Sequence, residues 1–161
     1  MIKLYHGSNV IIETISLKKS KPFKDFGRAF YLSDAKSQAE ELAKMKAKIF
    51  GGEPTLNIFE FDENFLNTDA SNPLRVKIFP HYSLEWAEFV WNNRDINQRF
   101  EHQWDIVYGP IANDTVGFQM RLYREQHRSL KEFLEGLKYS KGETFQYAFC
   151  TERSLNYLTK L

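Results

Sequence analysis

Gly27-Arg28-Ala29-Phe30-Tyr31-Leu32-Ser33 runs without a break into Asp34-Ala35-Lys36-Ser37-Gln38-Ala39-Glu40-Glu41-Leu42-Ala43, and no other stretch limits the fold as tightly. The first half, entered from Phe26, is aromatic and alternating and starts at a glycine, which is the pattern of a strand. The second half offers polar N-cap candidates and then strong helix formers. So short a passage from strand to helix puts Tyr31 at a strand end beside a helix mouth. Free backbone N–H groups and a tyrosine ring face suit a flat polar ligand there. The alternative is that Phe30 and Tyr31 are plain strand residues packing a core.

Around this centre the chain reads as a string of short elements. A strand over residues 2–5 delivers His6-Gly7-Ser8, where a glycine leaves the backbone open to close approach by a ligand. Residues 10–17 are partly β-branched and compatible with a second short strand. Residues 18–25 form a loop whose four lysines are either a solvated face or an attraction for a phosphate-bearing ligand. The helix after Tyr31 extends to about residue 49, with Ala35, Ala39, Leu42, Ala43 and Met45 as its apolar side and Gly51-Gly52 as its stop.

Further strands are expected at residues 56–61, 76–79, 104–110 and 144–150, the last with Phe145, Tyr147 and Phe149 on one face and Gln146 and Ala148 on the other. Helices are expected at 83–91 behind an N-cap Ser83, at 115–125, at 129–138, and after Thr151, the last carrying Leu155, Tyr157 and Leu158. With no repeat, low-complexity tract or linker, the expectation is one α+β domain over residues 1–161.

The lone cysteine, Cys150, excludes an intramolecular disulfide, and no Cys/His pair has zinc-ligand spacing, so no metal is expected. A net charge of +1 gives no global sign of nucleic acid or an anionic membrane as partner. The opening residues lack a signal peptide's apolar run and no apolar segment is long enough to span a bilayer, which makes a reducing cytoplasm the expected location, with no membrane partner. Arg94 reads as a ligand for a pyrophosphate or target, or as a helix C-terminal cation. Asp105 and Asp114 read as caps rather than target-activating groups, His81, His102 and His127 as surface residues, and Cys150 as a small buried hydrophobe.

Three polar positions stand on strands or at their ends: His6, Tyr31 and Gln146. In order and surroundings they resemble the ADP-ribosyltransferase superfamily, in the His-Tyr-Glu branch shared by diphtheria toxin and the poly(ADP-ribose) polymerases. Tyr5-His6-Gly7-Ser8 resembles that branch's His-Gly-Ser motif, Gly27 to Ser33 its Gly-Lys-Gly-Ile-Tyr-Phe-Ala motif, and Phe145-Gln146-Tyr147 its Asn-Glu-Tyr. The chain also resembles small uncharacterised bacterial proteins of this superfamily that share the segment from Asp105 to Ala112 and a Thr-Glu after the late strand, and whose genes look like toxin partners in toxin–antitoxin modules.

The resemblance implies split, mostly antiparallel sheets with flanking helices and a central NAD cleft. It also implies an NAD-dependent mono-ADP-ribosyltransferase, the toxin of a toxin–antitoxin-type module, that releases nicotinamide. NAD would be a substrate, the target a protein or nucleic acid, and an antitoxin protein a further partner. By carry-over Gly7 binds the nicotinamide amide, His6 donates to the adenosine ribose, Tyr31 stacks on nicotinamide and Ser8 assists. Gly27, Arg28, Phe30 and Arg94 complete the NAD-binding set, and Gln146 takes the catalytic position.

Departures from the motif bear on activity. An amide at 146 makes the hydrogen bond of a carboxylate but brings no charge and no base, which argues against chain elongation. Glu152 either supplies a carboxylate or occupies a helix first turn. The second stacking aromatic is missing, with Trp86 or Phe118 as substitutes. Two alternatives follow: a non-catalytic NAD or ADP-ribose binding module, in which Gln146→Glu would create activity, and an NAD glycohydrolase with water as acceptor.

Overall fold

A computed structural model describes residues 1–112, 115–137 and 143–161. Among them are seven strands: β1 (Ile2–Ser8), β2 (Phe30–Leu32), β3 (Thr55–Phe61), β4 (Val76–Ile78), β5 (Ile106–Pro110), β6 (Phe145–Phe149) and β7 (Leu158–Lys160). The five helices among them are α1 (Lys36–Phe50), α2 (Leu84–Arg94), α3 (Thr115–Arg124), α4 (Leu130–Leu137) and α5 (Glu152–Leu155). The chain is α+β, with two sheets ordered β1-β3-β7 and β2-β6-β5-β4. All pairs are antiparallel except β4 with β5.

Register explains why the aromatic alternation works. Phe30 pairs with Phe149 and Leu32 with Tyr147, so their side chains share one face of the four-stranded sheet. That face meets Leu4, Phe59 and Phe61 of the other sheet, and the whole set is at most 5% exposed. Phe61 meets Phe149 edge-on, with centroids 5.2 Å apart. Each such side chain contributes about 1.5–3 kcal/mol on burial, so this layer fixes how the sheets stack. It also fills the space between them.

Tyr31 pairs with Ala148, and Gln146 lies two residues earlier on β6, so Tyr31, Ala148 and Gln146 share the opposite face. There Ala148 packs in a second core with Phe26, Phe79, Trp86, Val90 and Val107.

Among the described residues one isolated backbone bridge joins the sheets: Tyr5 N–H donates to Ser33 O at 2.8 Å and Ser33 N–H to Tyr5 O at 3.0 Å. Ser33 Oγ then accepts from Ala35 N–H and donates to Gln38, turning the chain into α1. This helix lies so close to β1 that a Cβ on Gly7 would stand 2.0 Å from Ala39 O. Only Ala39 and Ala43 of α1 are buried, while Leu42 and Met45, expected on the apolar side, are 37% and 52% exposed. The contact needs small residues, not large ones.

Several expectations are corrected. Residues 10–17 form no strand, because Asn57 takes Ile12 N–H at 2.7 Å and gives its amide to Val10 O, so a side chain uses the groups a ladder would need. The first strand runs on through His6-Gly7-Ser8. β2 begins at Phe30, since Gly27 has φ +82°. The last helix stops at Leu155, and Leu158 opens β7 against β3. Asp114 and Lys138, expected as a cap and a helix end, lie outside the described residues. Among the described residues no helix is long and apolar enough to cross a membrane.

Gly7→Ala should therefore destabilise the protein by about 3 kcal/mol or more, since helix backbone must retreat. Gly117→Ala, in α3 with nothing within 4 Å of its Cβ position, should gain up to about 1 kcal/mol. Urea unfolding of both variants measures the contrast; equal stability would refute the close packing of α1 on β1.

Candidate active site

The loop before β2 carries the site. Phe26 N–H donates to Tyr31 Oη at 3.0 Å and Tyr31 Oη–H donates to Gly27 O at 2.8 Å, so the hydroxyl clasps the loop preceding its own strand. Burial first, then the nearby Cys150 and Asp25, pushes that hydroxyl well above its ordinary pKa, which keeps it a donor. Phe26 is fully buried and its carbonyl lies 2.8 Å from His102 Nε2. Gly27 is wedged against Asn93, and a Cβ there would stand 2.7 Å from Asn93 Oδ1.

This bracing holds Asp25, which is 8% exposed. Its Oδ1 accepts from Arg94 Nε at 2.8 Å and from Arg94 Nη2; its Oδ2 accepts from Ala112 N–H at 2.9 Å and from Gln146 Nε2 at 2.8 Å. Every partner is a donor, as a buried carboxylate requires. Because Asp25 can only accept, Gln146 must point its nitrogen inward, and its Oε1 accepts no hydrogen bond among the described residues.

A second group of contacts lies at the bridge between the sheets. His6 Nδ1 stands 2.7 Å from Tyr31 O, and its ring stacks on Phe30 at 4.7 Å. Lys46 Nζ donates to Gly7 O at 2.8 Å and lies 3.4 Å from His6 Nε2. Burial, with the neighbouring Lys46, lowers the His6 pKa to about 4 despite the carbonyl contact, so the ring is neutral at pH 7. Its Nδ1–H goes to the Tyr31 carbonyl, which leaves Nε2 an acceptor. Nε2 in this tautomer is an acceptor, not the donor expected of His6. Burial and then Lys24 and Lys21 lower the Lys46 pKa, which marks these lysines as neighbours.

The signature residues thus form two linked groups: Tyr31 and Gln146 through the Asp25 loop, and His6 through the backbone of Tyr31. Gly7 is buried and covered by α1. Ser8 is 6% exposed, with Val10 N–H directed at its Oγ. Phe30 is a core residue. Arg28 donates to the carbonyls of Lys18 and Ser20, tying the lysine loop to β2. Arg94 is committed to Asp25. Trp86 is fully buried and bonded to Pro110 O, and Phe118 is 56% exposed on α3, so neither stands in for the missing aromatic.

Of the other candidates, Glu152 opens α5. Asp105, 1% exposed, caps no helix itself: it accepts from Arg75 N–H, the Thr151 hydroxyl and Arg153, and these donors outweigh burial and hold its pKa below the usual range. His81 and His127 are exposed. His102 is half-buried and anchors Phe26, which corrects its reading as a surface residue. Cys150 is packed against the core, its thiol pushed up to about 12 by burial. Two open cavities, of about 580 and about 730 Å³, are lined by residues such as Tyr123, Arg128, Tyr82 and Leu134 and share none with this site.

Sequence reasoning missed Asp25 and Lys46. Asp25 is the one acid in a lysine loop, and nothing local marks it as buried. Lys46 was visible as a lysine continuing the Ala39, Ala43 stripe at helical spacing.

The depressed His6 pKa fixes the sign of an acid effect. The unfolded chain binds this proton near pH 6.5 and the folded one only near 4, so stability is complete above 6.5 and falls as pH drops through that window. His6 alone should remove up to about 3 kcal/mol, and His102, also lowered, adds in the same direction. Asp105 loses its contribution only at lower pH, so urea titrations from pH 7 to 4.5 isolate the histidines. A flat profile there, or one unchanged by His6→Gln, contradicts the buried neutral ring.

No curated protein and no solved structure matches the chain. The family model described as Protein of unknown function (DUF3990) matches residues 2–159, and the chain belongs to that family.

Proposed function

We propose that this protein is an NAD-dependent mono-ADP-ribosyltransferase of the ADP-ribosyltransferase-like fold, acting in the cytoplasm as the toxin of a toxin–antitoxin-type module. The observation that carries the reading is the meeting of the signature positions. His6 bonds to the backbone of Tyr31, 25 residues away, and Gln146 joins the loop that Tyr31 clasps through Asp25, 121 residues away. Two small sheets, packed through the aromatic layer and joined among the described residues by one backbone bridge beside this group, accord with a split-sheet fold.

In the reaction the bond between the ribose anomeric carbon and nicotinamide breaks, and its electron pair leaves with nicotinamide. A lone pair of the target closes on that carbon, and the target's proton passes to solvent. The positive charge that develops on the ribose must be met by fixed acceptors. Gln146 Oε1 is such an acceptor for the reacting ribose, His6 Nε2 accepts from a hydroxyl of the adenosine ribose, and the half-buried Tyr31 ring is the stacking surface for nicotinamide. The positive charge for the dinucleotide's phosphates comes from Lys46, with Lys24 and Lys21 near it, rather than from Arg94. On ligand entry the nicotinamide amide and a ribose hydroxyl replace Lys46 at Gly7 O and His6 Nε2. A protein or nucleic acid is the acceptor, and an antitoxin protein is the natural partner of such an enzyme.

A second reading, a binding module without turnover, rests on the amide at 146, which leaves β6 without a carboxylate of its own at this place. Nicotinamide release from NAD by the purified protein, with and without host lysate, separates the two. Transfer predicts release that rises with lysate and falls at least ~10-fold in Tyr31→Ala, whose fold is checked by circular dichroism. Release independent of lysate, with free ADP-ribose as product, identifies a glycohydrolase. NAD binding with no release in either condition rules out the transferase and leaves the binding module.

A further inference from the structure

We infer that Asp25 and Gln146 together do the work of the single glutamate of the His-Tyr-Glu signature: Asp25 holds the negative charge and orients the amide, and Gln146 presents the acceptor to the ribose. The inference rests on the proposed function and adds a positioning residue to it.

The geometry leaves Gln146 one arrangement. Asp25 has no proton to give, so the contact at 2.8 Å must be Gln146 Nε2–H donating to Oδ2, and the amide oxygen is turned away from the pair. A free amide oxygen accepts a hydroxyl's hydrogen as one oxygen of a carboxylate does. The charge that an amide lacks sits one hydrogen bond behind it. Asp25 itself is held on three further sides, by two nitrogens of Arg94 and by Ala112 N–H, so it cannot swing out to meet a substrate. It acts through Gln146. Arg94 balances the charge and keeps the carboxylate in place, which explains why a cation expected to bind ligand is turned inward.

This arrangement reverses what restoring the signature glutamate should do. In Gln146→Glu a second carboxylate would face Asp25 Oδ2 at hydrogen-bond distance, with Arg94 the one cation against the pair and the protonated Tyr31 hydroxyl near them. Two such carboxylates share a proton, and the upper pKa of the pair is raised. The variant should lose activity rather than gain it. On the Asp25→Asn background the sign changes. There the side-chain amide at 25 donates, so Gln146 flips to accept from it and turns its nitrogen to the substrate, whereas a glutamate at 146 accepts from it with one oxygen and keeps the other outward. The unpaired Ala112 N–H burdens both proteins on that background equally and drops out of the comparison.

The test is the four-protein set of wild type, Asp25→Asn, Gln146→Glu and the double variant, assayed for nicotinamide release and for urea unfolding at pH 5 and pH 8. The expected kinetic result is a kcat loss of ~10²-fold in Asp25→Asn with KM changed less than ~3-fold, a loss in Gln146→Glu, and recovery of at least ~10-fold in the double variant over Asp25→Asn. Unfolding is expected to show Gln146→Glu close to wild type at pH 5 and weaker at pH 8, because a raised folded pKa loses its stabilisation as pH rises. The double variant should show no such trend.

Activity gained by Gln146→Glu alone, or a double variant no better than Asp25→Asn, overturns the shared role while the proposed function stands. Absence of release by wild type overturns the function and the catalytic role of the pair together, and the unfolding data then report only whether the hydrogen bond exists. Additive stability changes at both pH values refute the bond itself.

Discussion

A carboxylate taken out of water must be given donors for its lone pairs, or it costs several kcal/mol, and Asp25 meets that demand from three separate parts of the chain. Arg94 comes from the end of α2, Ala112 from the segment after β5, Gln146 from β6, and the loop that carries Asp25 leads into β2. None of these donors can shift without leaving a buried charge underbonded, so one residue sets the relative position of a helix, a loop and two strands. Tyr31 makes the arrangement tighter by holding Phe26 and Gly27 with its hydroxyl. Tyr31 and Gln146 are thereby coupled through hydrogen bonds to one loop rather than merely adjacent.

Asp105 does the same work at the other end of β5. Its hydrogen bonds come from Arg75 before β4, from Thr151, and twice from Arg153 in α5. The strand between Asp105 and Ala112 is therefore pinned at both ends by a buried acid, one belonging to the strand's own segment and one brought to it. The segment from Asp105 to Ala112, with Thr151 after the late strand, thus has a structural use: it forms the brace on which Gln146 is mounted.

The elements with strong local periodicity were readable from residues alone. The alternation of Phe145, Tyr147 and Phe149 and the cap at Ser83 are short-range patterns, and backbone geometry obeys them. What escaped depends on partners far along the chain. Residues 10–17 have the composition of a strand, yet Asn57 supplies their bonds and no ladder forms. Leu158 has the look of a helix residue, but the open edge of β3 takes it as a strand. Gly7 was read as leaving its backbone open to a ligand; the space a Cβ would fill holds the backbone of α1, while its carbonyl faces Lys46.

The site residues were legible as positions and not as roles. His6, Tyr31 and Gln146 were identifiable because each sits in a short motif, but the direction of a hydrogen bond is set by whatever stands on its other side. A carbonyl facing His6 Nδ1 makes Nε2 an acceptor, and a carboxylate facing Gln146 makes Oε1 one. Both inversions come from groups with no proton to give, Tyr31 O and Asp25, and both turn an acceptor outward. In the proposed transfer, such an acceptor at Gln146 is what the hydroxyls of a ribose bearing developing positive charge require. An amide on β6 therefore does not by itself argue against transfer: its meaning depends on Asp25, a residue that no local pattern connects to it.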